Sequence, residues 1–399
     1  MSVNVRHPIW LPVAPAPGIR VIAALTLIES FARAIVSTTI PIQALDLFGD
    51  EQVVSFVYTG MGLSALAFSF VIPTLIRVFA RRYVYTAGAV ALIVSGLAFM
   101  SFTQFGTVTG MIVRVIGVAC LSVTLNLYVL DYIRREQFVL NDSVRLTLAT
   151  FGWTIGPFLG VWLYTNYGPV VTYGFSMGFA TVLIAVFWYL RMTDGKVIVR
   201  AQSKPPNPLR YVGRFFRQPR LRLAWLIAFG RSSFWGTFFV YGPLLMVLTG
   251  QGKEAGGVLV SAGNALLIVT ILWGRLAQRT GIRPVVAFSF LTVGACMVGA
   301  GFAGESSPWL SAGFLLAGAF FVVPLDAVGG TPFYRAVRIY ERPEMTSVYR
   351  TYIDFSELLP PLIYGLLLGV FGLGAVFLTL GIFLFACSVL SWVYLPRRM

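Results

Sequence analysis

Long apolar stretches alternate with short polar segments along all 399 residues, and the strand-like alternation of single apolar and polar positions is absent. Twelve stretches are long enough to cross about 30 Å of hydrocarbon as α-helices. The pattern therefore predicts an all-α integral membrane protein with twelve transmembrane helices, at residues 19–44, 52–76, 83–102, 105–133, 144–166, 169–190, 222–249, 256–274, 284–304, 308–331, 346–370 and 373–394.

The two halves of the chain repeat. At an offset of 202 residues, Glu29 of span 1 aligns with Arg231 of span 7, and at an offset of 204, Pro157 of span 5 aligns with Pro361 of span 11. A two-fold repeat with polar groups near the middle of the membrane is typical of secondary transporters. We therefore expect two pseudo-symmetric six-helix bundles.

Segment 191–221 divides these bundles, because it is polar, basic and interrupted by four prolines. It predicts a cytoplasmic linker between an N-terminal bundle of residues 1–190 and a C-terminal bundle of residues 222–399. Residues 209–216 within it either form a short amphipathic helix on the membrane surface or belong to a plain linker.

The net charge of +15 is explained by membrane topology. If the N-terminus is cytoplasmic, the outer loops hold a single basic residue, Lys253, and nearly all other Lys and Arg residues fall in inner segments. This is the positive-inside distribution. It predicts a multi-pass protein of a bacterial-type inner membrane with both termini cytoplasmic. Membrane lipid, and not nucleic acid, is the partner expected for the basic surface.

The side chains of metal and redox sites are scarce. The three cysteines lie in different spans, and the single histidine, His7, precedes the first span. The sequence also lacks a nucleophile motif and a phosphate-binding loop. We therefore expect a transporter that needs no metal and no cofactor, and not an enzyme.

Span 1 carries Glu29 and Arg33 one helical turn apart, about 13 Å deep in the membrane. At this spacing the two side chains share a face and are able to pair. Charged residues at this depth are candidates for function. Glu29 is therefore either a proton-coupling carboxylate or half of an ion pair that stabilises the fold. Arg33 is a candidate substrate ligand.

Two short motifs resemble those of the major facilitator superfamily. The loop after span 8 reads GRLAQRTGIRP, and it contains Arg275 and Arg279 at the inner gate. Span 5 reads GWTIGPFLG, similar to the motif of the drug/proton antiporter branch, in which Gly152, Gly156 and Gly160 give a smooth helix face and Pro157 permits a bend. The loop after span 2 lacks the usual acidic residue and leading glycine. The resemblance implies a central cavity, alternating access and a monomer.

The resemblance also places other buried charges around the cavity. Arg114 of span 4 is expected to pair with Glu29, since spans 1 and 4 line the cavity of the resembled fold. Arg231 of span 7 is expected to face the cavity opposite Glu29. There it would bind an anionic substrate group, neutralise an acid, or hold the halves together through an ion pair.

Span 11 contributes a second candidate proton site. Asp354 and Glu357 share a helix face with Arg350, and two carboxylates in a low dielectric do not both ionise cheaply. The alternative is an Arg350–Asp354 ion pair at the inner gate. Asp326 of span 10 and Asp131 of span 4 lie near the inner ends of their helices, where gating or capping is the favoured role.

Aromatic residues suggest an amphipathic substrate. Trp153 aligns with Glu357, and Trp235 follows Arg231 by four residues, so both are candidate cavity residues in a chain with few charges. The leading hypothesis is a proton-coupled exporter of a small organic compound. The alternatives are a transporter of phosphate- or carboxylate-bearing anions that uses the membrane arginines, and a non-transporting receptor or lipid-handling protein.

Overall fold

The computed structural model describes residues 19–132, 138–189, 208–338 and 342–396, and every regular element within these ranges is helical. The predicted all-α fold is confirmed. Seven helices precede the predicted linker: α1 (Ile19–Ala34), α2 (Thr39–Phe48), α3 (Glu51–Val78), α4 (Arg81–Met100), α5 (Gln104–Tyr132), α6 (Phe138–Tyr167) and α7 (Pro169–Tyr189).

A short helix, α8 (Pro208–Phe216), lies within the predicted linker. The helices of the second half then begin at Pro219. They are α9 (Pro219–Leu248), α10 (Lys253–Ala265), α11 (Thr270–Thr280), α12 (Ile282–Ala303), α13 (Pro308–Val328), α14 (Thr331–Ala336), α15 (Arg342–Tyr349), α16 (Thr351–Leu368) and α17 (Gly374–Tyr394), with a 3₁₀ turn at Leu266–Val269 between α10 and α11.

Within the described ranges, nine helical segments are long and apolar enough to cross a membrane, if α1 with α2 and α13 with α14 are each taken as one. The pair α10 and α11, bent by 49°, makes a tenth. The helices α6 and α16 occupy predicted spans 5 and 11 and lie outside this count of the described residues; α16 carries two carboxylates, Asp354 and Glu357. Helices satisfy their own backbone hydrogen bonds, which hydrocarbon requires of any spanning segment.

The two largest contacts between the halves are those of α3 with α16 and of α6 with α10. A side chain at Gly62 of α3 would collide with the backbone of Glu357 in α16, so these two helices approach closely. A side chain at Gly257 of α10 would meet Val161 of α6 at 3.0 Å. Because α3 and α10, like α6 and α16, occupy equivalent places in the repeat, the two contacts are related by the pseudo-two-fold symmetry.

The halves are also tied together at one end, which we call the Asp46 end. Asp46 Oδ2 at the end of α2 lies 2.6 Å from Lys253 Nζ of α10 and accepts a hydrogen bond from the Tyr164 hydroxyl of α6 at 3.0 Å. Nearby, Tyr241 of α9 donates to Ser55 of α3 at 2.8 Å. The opposite end, where α11 ends and α9 begins, is called the basic end.

The helix α8 is attached to the second half at the basic end. Phe215 is fully buried, with its ring 6.5 Å from that of Phe333 in α14, which in turn stacks on Tyr349 at 4.1 Å. The apolar side of α8 therefore packs on protein. The remainder of the predicted linker up to residue 207 lies outside the described residues, and the domain limits at 190 and 222 stay predictions.

Candidate functional site

An ion pair within α1 is the first component of the site. Arg33 Nη1 lies 3.0 Å from Glu29 Oε1, as the four-residue spacing predicts, and also 3.3 Å from the Ser122 hydroxyl of α5. The Glu29 side chain is 6% exposed, whereas that of Arg33 is 25% exposed. The second carboxylate oxygen of Glu29 is buried and has no hydrogen-bond partner among the described residues. Arg33 is therefore the more accessible member of this ion pair.

Arg114 does not pair with Glu29, so that prediction was wrong. Its Nη2 atom instead donates to the backbone carbonyl of Arg33 at 2.7 Å. The physical reason is the end of α1 at Ala34: the last carbonyls of a helix lack intrahelical partners, and Arg114 satisfies one of them. Arg114 forms no ion pair with any described residue.

The second half has its own ion pair, between α9 and α13. Arg231 Nη1 lies 2.7 Å from Asp326 Oδ1, and Arg231 Nη2 donates to the Tyr352 hydroxyl at 3.1 Å. Trp235 donates its indole N–H to the other oxygen of Asp326 at 3.1 Å. Asp326 was expected at a gate or a helix cap, but the structure brings it to Arg231 and Trp235. Both members of this pair are partly exposed, at 26% and 19%.

Aromatic rings connect the two ion pairs across the interface between the halves. Trp153 of α6 lies 5.8 Å from Phe239 of α9, and Phe239 stacks on Trp235 at 5.7 Å. The guanidinium carbon of Arg33 lies 5.9 Å from the Trp153 ring centre. Three aromatic rings therefore form a continuous row between a charged group of the first half, Arg33, and one of the second half, Asp326. An amphipathic ligand would need such a combination of apolar surface and charged ends.

The carboxylates of α16 lie beside this arrangement. Glu357 interacts electrostatically with Asp354 on its own helix and with Arg33 of the other half, yet its side chain accepts no hydrogen bond from a described residue. Asp354 lies beside Ser69 of α3. Arg350 is exposed and interacts electrostatically with Asp354, but the two do not form a hydrogen-bonded ion pair in this structure.

The glycine motif of α6 packs on α1. A methyl group at Gly152 would lie 2.9 Å from Ser30, one at Gly156 would crowd Ala34, and one at Gly160 would collide with the carbonyl oxygen of Ile35. Pro157 lies inside the helix. The three glycines therefore form the smooth contact face that their spacing predicts.

The candidates at the basic end are less defined. Arg275 and Arg279 of α11 are exposed, and the side chain of Asp131 lies outside the described residues. The described residues contain no group of three His, Cys, Asp or Glu side chains placed to hold a metal ion. Neither Arg275 nor Arg279 forms a hydrogen bond with the described residues of the two ion pairs.

Three residues of the site were not predicted from the sequence: Phe239, which contacts Trp153 and Trp235, Tyr352, which contacts Arg231, and Ser122, which contacts Arg33. Phe239 had a usable signal, because it follows Trp235 by one helical turn and so shares its face. Tyr352 and Ser122 had none, since each lies on a different helix from the arginine that it contacts, and the sequence alone does not pair helices.

Comparisons with known proteins agree with this architecture. The family model of the Major Facilitator Superfamily matches residues 22–323 and 249–399. No curated protein matches the chain significantly. Among solved structures, a POT family transporter in complex with 5-aminolevulinic acid has a TM-score of 0.79 at 10% identity, covering 95% of this chain and 98% of its own.

Two further structures are similar over nearly their whole lengths. The nucleoside transporter NupG has a TM-score of 0.72 at 12% identity, covering 94% of this chain and 98% of its own. A bacterial homologue of the iron transporter ferroportin, in the inward-facing state, has a TM-score of 0.71 at 14% identity, with coverages of 94% and 97%. The chain is a multi-pass membrane transporter with the twelve-helix, two-bundle fold, and it belongs to the major facilitator superfamily.

Proposed function

We propose that this transporter is proton-coupled and exports a small amphipathic organic compound by alternating access. The observation that supports this best is the continuous arrangement of two ion pairs joined by Trp153, Phe239 and Trp235 across the interface between the halves. The aromatic rings would hold the apolar body of the substrate. The partly exposed Arg33, Arg231 and Asp326 would bind its polar groups.

Proton coupling would act through competition for the carboxylates. Arg33 pairs with Glu29 in its own helix and also interacts electrostatically with Glu357 across the interface. When a proton neutralises Glu29, its attraction for Arg33 falls and Arg33 can turn toward Glu357. A cationic substrate group and a proton would then exclude each other from these carboxylates, which is the requirement for exchange of substrate against protons.

Alternating access would occur by rocking of one half against the other. The Lys253–Asp46 ion pair and the Tyr164 hydroxyl hold the Asp46 end together in this structure, and breaking them would be one step of opening. The resemblance of the α6 motif to the drug/proton antiporter branch supports export. The positive-inside pattern supports an inner-membrane orientation with the basic end in the cytoplasm.

The proposal is tested with the purified protein in proteoliposomes. Tetraphenylphosphonium serves as a lipophilic cation and phenyl phosphate as an aromatic anion, each with and without an imposed pH gradient. We expect movement of the cation against a proton gradient, which a protonophore abolishes. Transport that ignores the pH gradient for every probe would contradict proton coupling, and accumulation that follows protons inward would contradict export.

A second candidate function, transport of organic anions, is favoured by Arg114. This arginine has no carboxylate partner among the described residues. It donates a hydrogen bond to the carbonyl of Arg33 and interacts electrostatically with Arg33, whose own acid partner is Glu29. Two guanidinium groups suit a phosphate or carboxylate. Binding of phenyl phosphate that is lost in Arg33→Gln but kept in Glu29→Gln would favour this function, and stabilisation by the cation alone would exclude it.

A further inference from the structure

A cavity of about 940 Å³ opens at the basic end, away from the candidate substrate site. It lies between the start of α9, the short helix α14 and the end of α17. Three of its lining residues are arginines, Arg217, Arg220 and Arg222, and we call this part of the lining its basic side. Most of the remaining lining is apolar and includes Leu226 and Leu390, and we call this part its apolar side.

The three arginines are exposed and available to a ligand. None of their side chains forms a hydrogen bond or an ion pair with a residue that the structure describes. Three cations within six residues repel each other, so this side of the cavity is electrostatically complementary to an anion. Arginine guanidinium groups bind phosphate oxygens in pairs, which makes a phosphate the best matched group.

The apolar side of the cavity indicates that the ligand has an apolar part in addition to its phosphate. Leu223 and Leu226 belong to the spanning helix α9, and Leu390 and Tyr394 belong to the spanning helix α17, so the apolar wall continues toward the membrane interior. Leu390 is 36% exposed and Tyr394 is 66% exposed. An occupant that uses both sides of the cavity has an anionic head and a hydrocarbon tail, and its head lies at the level where the helices leave the membrane.

We propose that this cavity is a binding site for an anionic phospholipid. The headgroup phosphate contacts Arg217, Arg220 and Arg222, and an acyl chain follows Leu226 and Leu390 between α9 and α17. The bound lipid joins the start of α9 to the end of α17. Inorganic phosphate would contact the same arginines but would make no contact with the apolar wall. The contribution of the acyl chain to binding therefore distinguishes a phospholipid from free phosphate.

Native mass spectrometry of the full-length protein tests the site. The protein is released from detergent after equilibration with phosphatidylglycerol or phosphatidylcholine, and Arg220→Gln/Arg222→Gln is compared with the charge-matched Arg275→Gln/Arg279→Gln of α11. We expect the wild type to retain phosphatidylglycerol preferentially. We also expect the affinity of the first variant for phosphatidylglycerol to fall by about 30-fold, since each of the two arginines removed should contribute about a fivefold gain in affinity.

Two further arms keep the assignment falsifiable. Leu390→Trp retains all three arginines and fills the apolar side, and it is expected to reduce phosphatidylglycerol retention as well. This variant tests the site independently if Arg220→Gln/Arg222→Gln does not fold. Inorganic phosphate in excess is expected not to displace the lipid. Equal retention of the two lipids, equal loss in both arginine variants, or full displacement by phosphate would each overturn the proposal.

Discussion

Trp153 of α6 contacts Phe239 of α9, and this contact joins the two halves of the transporter at the level of their buried ion pairs, with ring centres 5.8 Å apart. Arg33 approaches the same tryptophan from α1. The substrate space therefore has aromatic surface contributed by both halves, and a rocking motion that separates the halves also separates these rings.

Removing either ring should weaken binding of an amphipathic probe. We expect Trp153→Ala and Phe239→Ala each to raise the dissociation constant of tetraphenylphosphonium by about tenfold, because an aromatic contact contributes about 1 kcal/mol beyond its buried area, and burial is lost too. Isothermal titration in detergent measures the change. Phe302→Ala, at a side chain that is 77% exposed, serves as the control and should bind normally.

Neutralising Glu357 should uncouple transport from protons. In Glu357→Gln, Arg33 loses the carboxylate with which it interacts across the interface, so we expect gradient-driven transport to fall at least tenfold while exchange of substrate across the membrane without a gradient persists. Both rates are measured in proteoliposomes. Glu51→Gln, at the Asp46 end, removes an equal charge and should change neither rate. Gradient-driven transport that survives in both Glu357→Gln and Glu29→Gln would exclude both carboxylates as coupling groups.

The pairing of Arg231 with Asp326 should appear as strong coupling between two substitutions. Arg231→Leu leaves Asp326 without its cation, and we expect a loss of about 3 kcal/mol in the free energy of unfolding. Arg231→Leu/Asp326→Asn should recover most of this loss, since no uncompensated charge remains. Denaturant unfolding of the four proteins measures the cycle. Additive effects of the two substitutions would show that the pair is not formed in the membrane.

The Lys253–Asp46 ion pair should favour closure of the Asp46 end. We expect Lys253→Met to raise the population of the separated state by about fivefold, equivalent to ~1 kcal/mol for a partly exposed pair. Nitroxide labels introduced by Tyr167→Cys and Leu248→Cys report the separation of α6 and α9 by electron paramagnetic resonance. Glu51→Gln is again the charge control. An unchanged distance distribution in Lys253→Met would remove this pair from the gate.

The contact of α6 with α1 predicts a difference between two glycines. A methyl group at Gly160 would collide with the carbonyl of Ile35, whereas one at Gly178 of α7 meets no other atom within 4 Å. We therefore expect Gly160→Ala to lower the melting temperature and the transport rate. Gly178→Ala should keep both or gain slightly in stability, because alanine favours the helix by about 1 kcal/mol. Equal melting temperatures of Gly160→Ala and the wild type would mean that α1 moves to accommodate the added methyl group.

Much of the fold could be predicted because the membrane imposes simple rules on sequence. The apolar run at residues 222–249 corresponds closely to α9, Pro219–Leu248. The breaks within spans could not be predicted in this way. Span 1 was expected as one helix over 19–44, but its hydrogen-bonding pattern changes at residues 35–38, between α1 and α2, although the segment as a whole is apolar enough to be one span.

The contacts of the charged residues likewise include some that the sequence could predict and others that it could not. The pairing of Glu29 with Arg33 follows from helical spacing, so the sequence was sufficient for it. The pairing of Arg231 with Asp326 joins residues 95 positions apart on different helices, and only the packing of α9 on α13 brings them together. The expected Arg114–Glu29 pair was wrong because the break after α1 offers a closer acceptor, the carbonyl of Arg33.

The three glycines that fix α6 on α1 also constrain what this transporter can recognise. Since Gly152, Gly156 and Gly160 hold α6 closely against α1, we expect the backbones at Arg33 and Trp153 to move together as one template, while the Arg33 side chain is able to turn. Natural variation in substrate preference should therefore be concentrated on α9 and α13. An engineer who wishes to change selectivity should randomise Trp235, Phe239 and their neighbours and leave the template untouched.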